Sequence, residues 1–202
     1  MAVPRWEEGS AERLTTAALE LFEERGFEDT SVVEIAERAR VTTRTFFRYF
    51  PDKREVLFAE SDRIRTAIVQ AVLDAPDVTQ PLRVVTTALA QFDWDVGGAE
   101  IQRRRHAVIA ANPGLLEREL IKQDEIATEV VRALRRRGVE EEAARLATRV
   151  GIQVFATAYA RWAEGDGGAD LTELTEAATD LLRALVPTEG PPWPRTREEV
   201  RS

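Results

Sequence analysis

The 202-residue chain has no cysteine, one histidine and one methionine. Without cysteine there is no disulfide, no thiolate metal site and no thiol nucleophile, and an intracellular location is permitted. The single histidine, His106, cannot build a histidine metal cluster. There is also no phosphate-binding glycine loop and no acid pair at a suggestive spacing, so an enzyme is not expected, nor a metal or cofactor. No apolar run approaches the roughly 20 residues that span a bilayer. The opening MAVPRWEEGS carries no apolar signal core, and the expectation is a cytoplasmic protein with no membrane partner. No stretch alternates apolar and polar residues for long enough to make a strand.

What is present is a soluble globular balance, 44% hydrophobic and 32% charged, written in helical periods. Leu14, Ala17, Ala18, Leu21 and Phe22 form one face of a helix over 10–25, with Ser10 as its N-cap and Gly26 as its stop. Ser31 and Glu34 fit a capping box ahead of a helix with Val32, Ile35, Ala36 and Ala39 inward. Arg40 and Val41 make a tight turn. Thr42 caps a second short helix that ends at Tyr49, before Phe50-Pro51. Asp52, boxed with Glu55, opens a longer helix striped by Leu57, Ile64, Ile68 and Val72. Further helices are expected over 81–95, 100–111, 114–137, 140–164 and 170–185, about nine in all. Gly97-Gly98, Asn112-Pro113, Gly138 and 165–168 punctuate them, and Asp170 with Glu173 reads as a third box. The proline-rich, charged tail after Pro187 is expected to be disordered. The chain is therefore all-α.

Net charge is -8, which taken alone argues against binding nucleic acid. The distribution says otherwise. Arg38, Arg40, Arg44, Arg48, Lys53 and Arg54 face one acid, Asp52, within 38–54, a local +5 (six minus one). Two short helices joined by a tight turn fit a helix-turn-helix. The second begins Thr42-Thr43-Arg44, where a recognition helix reaches base edges, and arginine suits guanine O6 and N7. Thr30, Ser31, Tyr49 and Lys53 lie where phosphate contacts can form. Phe46, Phe47 and Phe50 are expected in the small core beneath, in preference to a base-inserting wedge.

The segment LFEERGFEDTSVVEIAERARVTTRTFFRYFPDKREVLF, Leu21 to Phe58, resembles the TetR family of one-component transcriptional regulators. Its marks are an amphipathic helix, G-F-x-x-T-S, an A-x-x-A-x-V turn and T-x-x-T-F-F-x-Y-F-P-x-K. The rest resembles the family only in its layout of helices. The resemblance implies a homodimer on a palindromic DNA operator, most often repressing and released by a small-molecule effector. It also implies that Thr42, Thr43 and Arg44 read bases while Thr30, Tyr49 and Lys53 sit on phosphates. Arg44 stands where the family often has glycine. Phe47 stands where it often has tyrosine, which leaves Arg48 to replace a hydroxyl contact.

The expected organisation is a flexible N-terminus (1–9), a three-helix DNA-binding head (10–52), a larger helical ligand-binding and dimerisation domain (53–187) and a disordered tail (188–202). Phe92, Trp94, Ile109, Phe155, Tyr159 and Trp162 can line an apolar cavity with Gln102 and Gln153 as polar anchors; the plainer alternative is core or dimer seam. In Arg103-Arg104-Arg105-His106 the four side chains point in different directions. Arg105 and His106 are candidates to face an anionic effector, the others to pair with acids or face solvent. The broad apolar faces of the last two long helices suit a four-helix dimer seam. A ligand would act through the helix from Asp52 to Val72, moving two heads set about 34–36 Å apart. The rival from another class is a helical protein-interaction or small-molecule-binding module without DNA function.

Overall fold

The computed structural model describes residues 8–94, 98–165 and 169–186. The expectations for residues 1–7, Gly97, 166–168 and the tail from Pro187 lie outside them. The regular elements among the described residues are all helical, without a strand: α1 Glu8–Arg25, α2 Val32–Arg38, α3 Thr43–Tyr49, a 3-10 turn Glu55–Phe58, α4 Ser61–Asp74, α5 Pro81–Ala90, α6 Ala99–Ala110, α7 Pro113–Arg136, α8 Glu141–Glu164 and α9 Leu171–Leu185.

Local signals set most of these boundaries. Ser31 and Glu34 form the reciprocal box at the start of α2. The Thr42 hydroxyl accepts from the Thr45 N–H at 3.1 Å and starts α3. Gly26 and Gly138, at φ 86° and 88°, stop α1 and α7. Four expectations are corrected. Ser10 lies inside α1, 2% exposed, because the helix begins at Glu8. The helix expected from Asp52 to Val72 is two elements. Asp52 caps only the 3-10 turn, through the Arg54 and Glu55 N–H groups, and α4 starts at Ser61. Helix α5 ends at Ala90, and the chain folds back so that Trp94 Nε1 donates to the Leu89 carbonyl at 2.7 Å. Asp170 caps α9 through Thr172, without a box to Glu173.

Two hydrophobic clusters result. The first joins α1, α2 and α3 through Leu14, Leu21, Ile35, Phe46 and Phe50, and it continues through Val56, Leu57 and Phe58 to Val108, Ile109 and Leu115. The second holds α4, α5, α7, α8 and α9 together, around Ile68, Val72, Val85, Leu134, Phe155 and Trp162. The head core thus extends past Asp52 and ends on α6 and the start of α7.

Helices α5 and α8 pack closely because α8 has Gly151 at the contact. A Cβ there would lie 2.7 Å from Val85 Cγ1 and 3.1 Å from Val85 Cβ. Overpacking of this kind costs about 1–3 kcal/mol, and a β-branched residue gains little from helix propensity in return. Gly151→Val is expected to lower the urea unfolding midpoint by an amount equivalent to about 2 kcal/mol. An unchanged midpoint would show that the two helices can slide apart freely.

Candidate nucleic-acid interface and effector cavity

Helix α3 has seven residues, so the three phenylalanines near it cannot all face inward. Phe46 and Phe50 are four apart and share a face, with rings 5.6 Å between centroids, and both are buried. Phe47 is rotated about 100° from Phe46 and is 57% exposed. The expectation that Phe47 belongs to the core is corrected. On the outer side Thr42, Thr43 and Arg44 are exposed at the first turn. The Thr42 hydroxyl is engaged with Thr45, so its freedom to touch a base is limited. Arg44 makes no hydrogen bond or ion pair among the described residues. Arg48 donates to the Tyr49 hydroxyl at 3.1 Å and lies 4.9 Å over its ring, so the two form one polar ledge.

Thr30 and Lys53 are placed differently from the phosphate-contact expectation. The Thr30 hydroxyl is buried and donates to the Gly26 carbonyl at 2.8 Å, closing the end of α1. The Lys53 ammonium donates to the carbonyls of Phe27, Glu28 and Thr30 at 2.6–3.0 Å and lies 4.4 Å from the Phe27 ring centroid. Its three N–H groups are spent on the α1–α2 loop. Ser31 is exposed, but Glu34 takes its N–H and its hydroxyl at 2.9 and 2.8 Å. The local +5 is reduced in the same way. Arg38 is held by Glu20 and Glu24 of α1, and Arg54 by Asp52. The outward cations are Arg40, Arg44 and Arg48.

Arg40 sits in the turn between α2 and α3 at φ 56°, the left-handed region that disfavours a side chain. The bend it makes is what sets α3 across α2.

The second site is a cavity of about 180 Å³ between α4, α6, α7 and α8. Ile64, Ile68, Leu89, Trp94, Ile109, Ile126, Ile152 and Phe155 make it apolar, and Arg105, His106, Glu119, Lys122, Gln123 and Tyr159 supply the polar groups. A second chamber of about 280 Å³ lies between α1, the 3-10 turn and α6, and is lined by Phe92 and Gln102. The two share Ser61, Ile64, Trp94 and Arg105 as a common wall. Of the expected lining residues, the structure brings Arg105, His106, Ile109, Phe155 and Tyr159 to the first chamber and Phe92 and Gln102 to the second. Trp162 is 9% exposed and packs behind Tyr159 at 5.3 Å between ring centroids, a core residue and not a lining one. Gln153 is exposed on the outside of α8 and anchors nothing in the cavity; that expectation too is corrected.

The run 103–106 splits four ways, as the helical turn requires. Arg103 pairs with Glu100 along α6. Arg104 pairs with both oxygens of Glu23 on α1, each at 2.7 Å. Arg105 donates to the Leu57 carbonyl at 2.5 Å and to Glu119 of α7 at 2.8 Å. His106 stands edge-on to Tyr159 at 5.6 Å. Burial, with help from the Arg105 charge, pushes the His106 pKa below its ordinary 6.5. Burial pushes the Tyr159 hydroxyl up; that oxygen is enclosed with no hydrogen-bond partner.

Reading the sequence missed Glu55, Arg118, Glu119 and Lys122. Glu55 lies in the 3-10 turn, meets Arg118 Nε at 2.7 Å and stands 3.9 Å from the Lys122 ammonium. The spacing of Arg118 and Lys122, four apart on α7, was the available signal for two cations on one face. Among the described residues no group of three or more histidine, cysteine, aspartate or glutamate side chains could hold a metal. No described helix is long and apolar enough to cross a membrane.

A compact head with two short helices at a tight turn, an exposed arginine at the start of the second, and a helical second domain define a helix-turn-helix DNA-binding protein. The model of the bacterial regulatory proteins of the tetR family matches residues 14–59. Over those residues, the DNA-binding head, the chain is of that family. It is 31% identical to the HTH-type transcriptional regulator TcmR of Streptomyces glaucescens over 137 residues, 64% of this chain and 61% of TcmR. The match therefore spans less than two thirds of that relative. It is 27% identical to the HTH-type transcriptional activator FasR of Mycolicibacterium smegmatis, covering 84% of this chain and 79% of FasR. Among solved structures it is similar to Thermus thermophilus FadR, a TetR-family repressor in complex with lauroyl-CoA, with 25% identity and a TM-score of 0.50 over 92% of this chain and all of that one.

Two outcomes follow from the contacts above. Lys53→Met is expected to destabilise the head by about 2 kcal/mol in urea unfolding, since it removes charged hydrogen bonds to backbone carbonyls; loss of DNA affinity at full stability would instead make Lys53 a phosphate contact. His106 is depressed in the folded state, so the unfolded chain takes up its proton first. Its contribution is intact above pH 6.5 and is lost as the pH falls through the folded pKa. His106→Gln is expected to flatten the loss of stability below pH 6.5, as read from unfolding midpoints between pH 7.5 and 5; an unchanged slope would mean His106 titrates as if exposed.

Proposed function

We propose that the chain is a dimeric, ligand-switched transcriptional repressor. Its α3 enters the major groove, Arg44 and Thr43 read bases, and Ser31, Thr42, Arg48 and Tyr49 set the head on the duplex. Thr30 and Lys53 shape the loop that presents them. The dimer forms through α8 and α9, where Leu146, Leu181 and Leu185 lie 64%, 56% and 70% exposed on the single chain. A symmetric four-helix seam would bury them.

One observation carries the ligand-switched part. Arg105 lines the effector cavity and also holds the carbonyl of Leu57, inside the head's own core. A ligand seated beside Arg105 therefore borders the head's own core. The ligand has an apolar body, as the walls demand. FadR was solved with lauroyl-CoA; a chain of that length here needs both chambers, with Trp94 moved from their common wall. Ligand shifts the heads away from the separation of about 34–36 Å that successive major grooves require, and the protein leaves its operator. Release on ligand binding is the behaviour of a repressor; FasR, by contrast, is named an activator.

The test is a gel-shift titration with DNA from upstream of the gene. Tight binding to a palindrome over random DNA is expected, and equal binding to both sinks the reading. Arg44→Ala is expected to cost about 1–3 kcal/mol at one base step and relax preference there, with little change in the salt slope. A uniform loss on every sequence would move Arg44 from base reading to phosphate binding.

A further inference from the structure

Lys122 has an unusual place on α7. Its side chain is 17% exposed, and it lines the cavity between α4, α6, α7 and α8. Its ammonium stands 3.9 Å from Glu55 and 3.7 Å from Glu125, beyond hydrogen-bond range of either. Among the described residues it makes no hydrogen bond. An ammonium carries three donors, and withdrawing it from water is costly unless they are used.

The other polar groups on the wall sharpen what is missing. The charge of Glu119 is answered by Arg105 at 2.8 Å. Arg105 spends a further N–H on Leu57. Glutamine 123 (Gln123) can donate or accept. The Tyr159 hydroxyl is enclosed without a partner. The wall therefore sets two cations against one acid, and Lys122, which can only donate, has no acceptor within hydrogen-bond range. Donors without acceptors select a ligand that brings acceptors and a negative charge. Ile64, Ile68, Leu89, Ile109, Ile126 and Phe155 require the rest of it to be apolar. The volume, about 180 Å³, is slightly above the roughly 150 Å³ of an apolar cavity that accepts benzene, which limits the occupant to one ring or a short chain.

We infer that Lys122 is the ligand-sensing cation of this cavity: it binds the carboxylate of a small apolar acid and, in doing so, leaves Glu55. The carboxylate supplies the hydrogen bonds that Glu55 and Glu125 are too distant to give. Glu55 keeps Arg118 at 2.7 Å but loses its second cation. The 3-10 turn that carries it, and with it the head, is then held to α7 by one contact less. The exchange with Glu55 rests on the reading of the chain as a ligand-switched regulator; the choice of ligand does not.

The experiment is calorimetric titration of the full chain with two matched pairs, benzoate against benzamide and hexanoate against hexanamide. Each acid is expected to bind at least tenfold more tightly than its amide. Lys122→Met should bring the acids down to the level of the amides, and Lys122→Arg should keep the preference. Glu55→Gln removes the competitor and should tighten acid binding several-fold, an effect that a purely structural role for Glu55 would not give. Equal binding of acid and amide by the wild-type chain, or binding of neither, overturns the ligand class. An acid preference that survives in Lys122→Met removes Lys122 from it, and acid binding no tighter in Glu55→Gln overturns the exchange. If Lys122→Met does not fold, the wild-type pairs and the arginine and Glu55 variants still decide. The same preparations are titrated on the upstream DNA. Acid binding without operator binding would sink the regulator reading and leave the ligand class standing; operator binding without acid preference would do the reverse.

Discussion

A four-residue 3-10 turn cannot satisfy its own polar groups, and this one, Glu55–Phe58, lies between the two hydrophobic clusters. Val56, Leu57 and Phe58 are buried, so water is not available to make good the deficit. The partners come from elsewhere in the chain. Asp52 caps the turn's N–H groups, Arg105 of α6 takes the Leu57 carbonyl and covers the Phe58 ring, and Arg118 of α7 takes the Glu55 carboxylate. Two of these three partners belong to helices that wall the cavity. The head is thereby fixed to the second domain by obligation rather than by a flexible joint. A continuous helix across the same residues would have met its own backbone needs, and the head would have had fewer reasons to respond to the cavity.

The charge distribution follows the same economy. The protein is strongly acidic overall, and three arginines of the head are held by acids of the head: Arg25 by Glu34, Arg38 by Glu20 and Glu24, Arg54 by Asp52. These exposed pairs contribute little to stability. Their larger effect is to remove positive charge from the surface that meets phosphate. What remains outward on α3 is Arg44 and the Arg48–Tyr49 ledge. With a smaller electrostatic term, affinity for arbitrary DNA falls while contacts to base edges are unaffected. The surface is suited to discrimination more than to retention.

How much of this was legible depends on the range of the interaction. The Ser31 box, the Thr42 cap, the stops at Gly26 and Gly138 and the apolar stripes are local, and periodicity with cap chemistry locates them. The family segment is likewise a run of adjacent residues. Failures cluster where a residue that looks local is used at a distance. Glu55 sits three residues after Asp52 and looks like a box partner, yet its carboxylate is taken by α7, more than sixty positions on. Lys53 looks like a phosphate anchor because it is basic and near α3, but three carbonyls of the α1–α2 loop claim it. Phe47 looks like core because it is aromatic, and only the phase of a seven-residue helix turns it outward. Trp162 is on the buried face that periodicity gives it, but behind Tyr159 and off the cavity wall, and Gln153 is on the outer face of its helix. On the cavity, Arg105, His106, Ile109, Phe155 and Tyr159 were legible as an aromatic and basic cluster. Lys122 was not, because its value comes from what it fails to contact.

The strength of the links matters for any switch. A ligand can move the head only by binding one arrangement more tightly than the other, and useful coupling is about 1–3 kcal/mol. A link worth much more than that would never yield to a small molecule. A link worth nothing would transmit no change. The contacts at the 3-10 turn are graded across this range. Arg118 to Glu55 is short and directed, and Arg105 to Leu57 joins a charge to a buried carbonyl; both are of the kind whose loss is expensive. Lys122 to Glu55 is long and lacks a hydrogen bond, so it can be exchanged at small cost. With the first two retained, the turn keeps its fold and the head its core, while the orientation of the head on α7 loosens. A switch built this way changes geometry without unfolding the DNA-binding head, so the change is reversed when the ligand is gone.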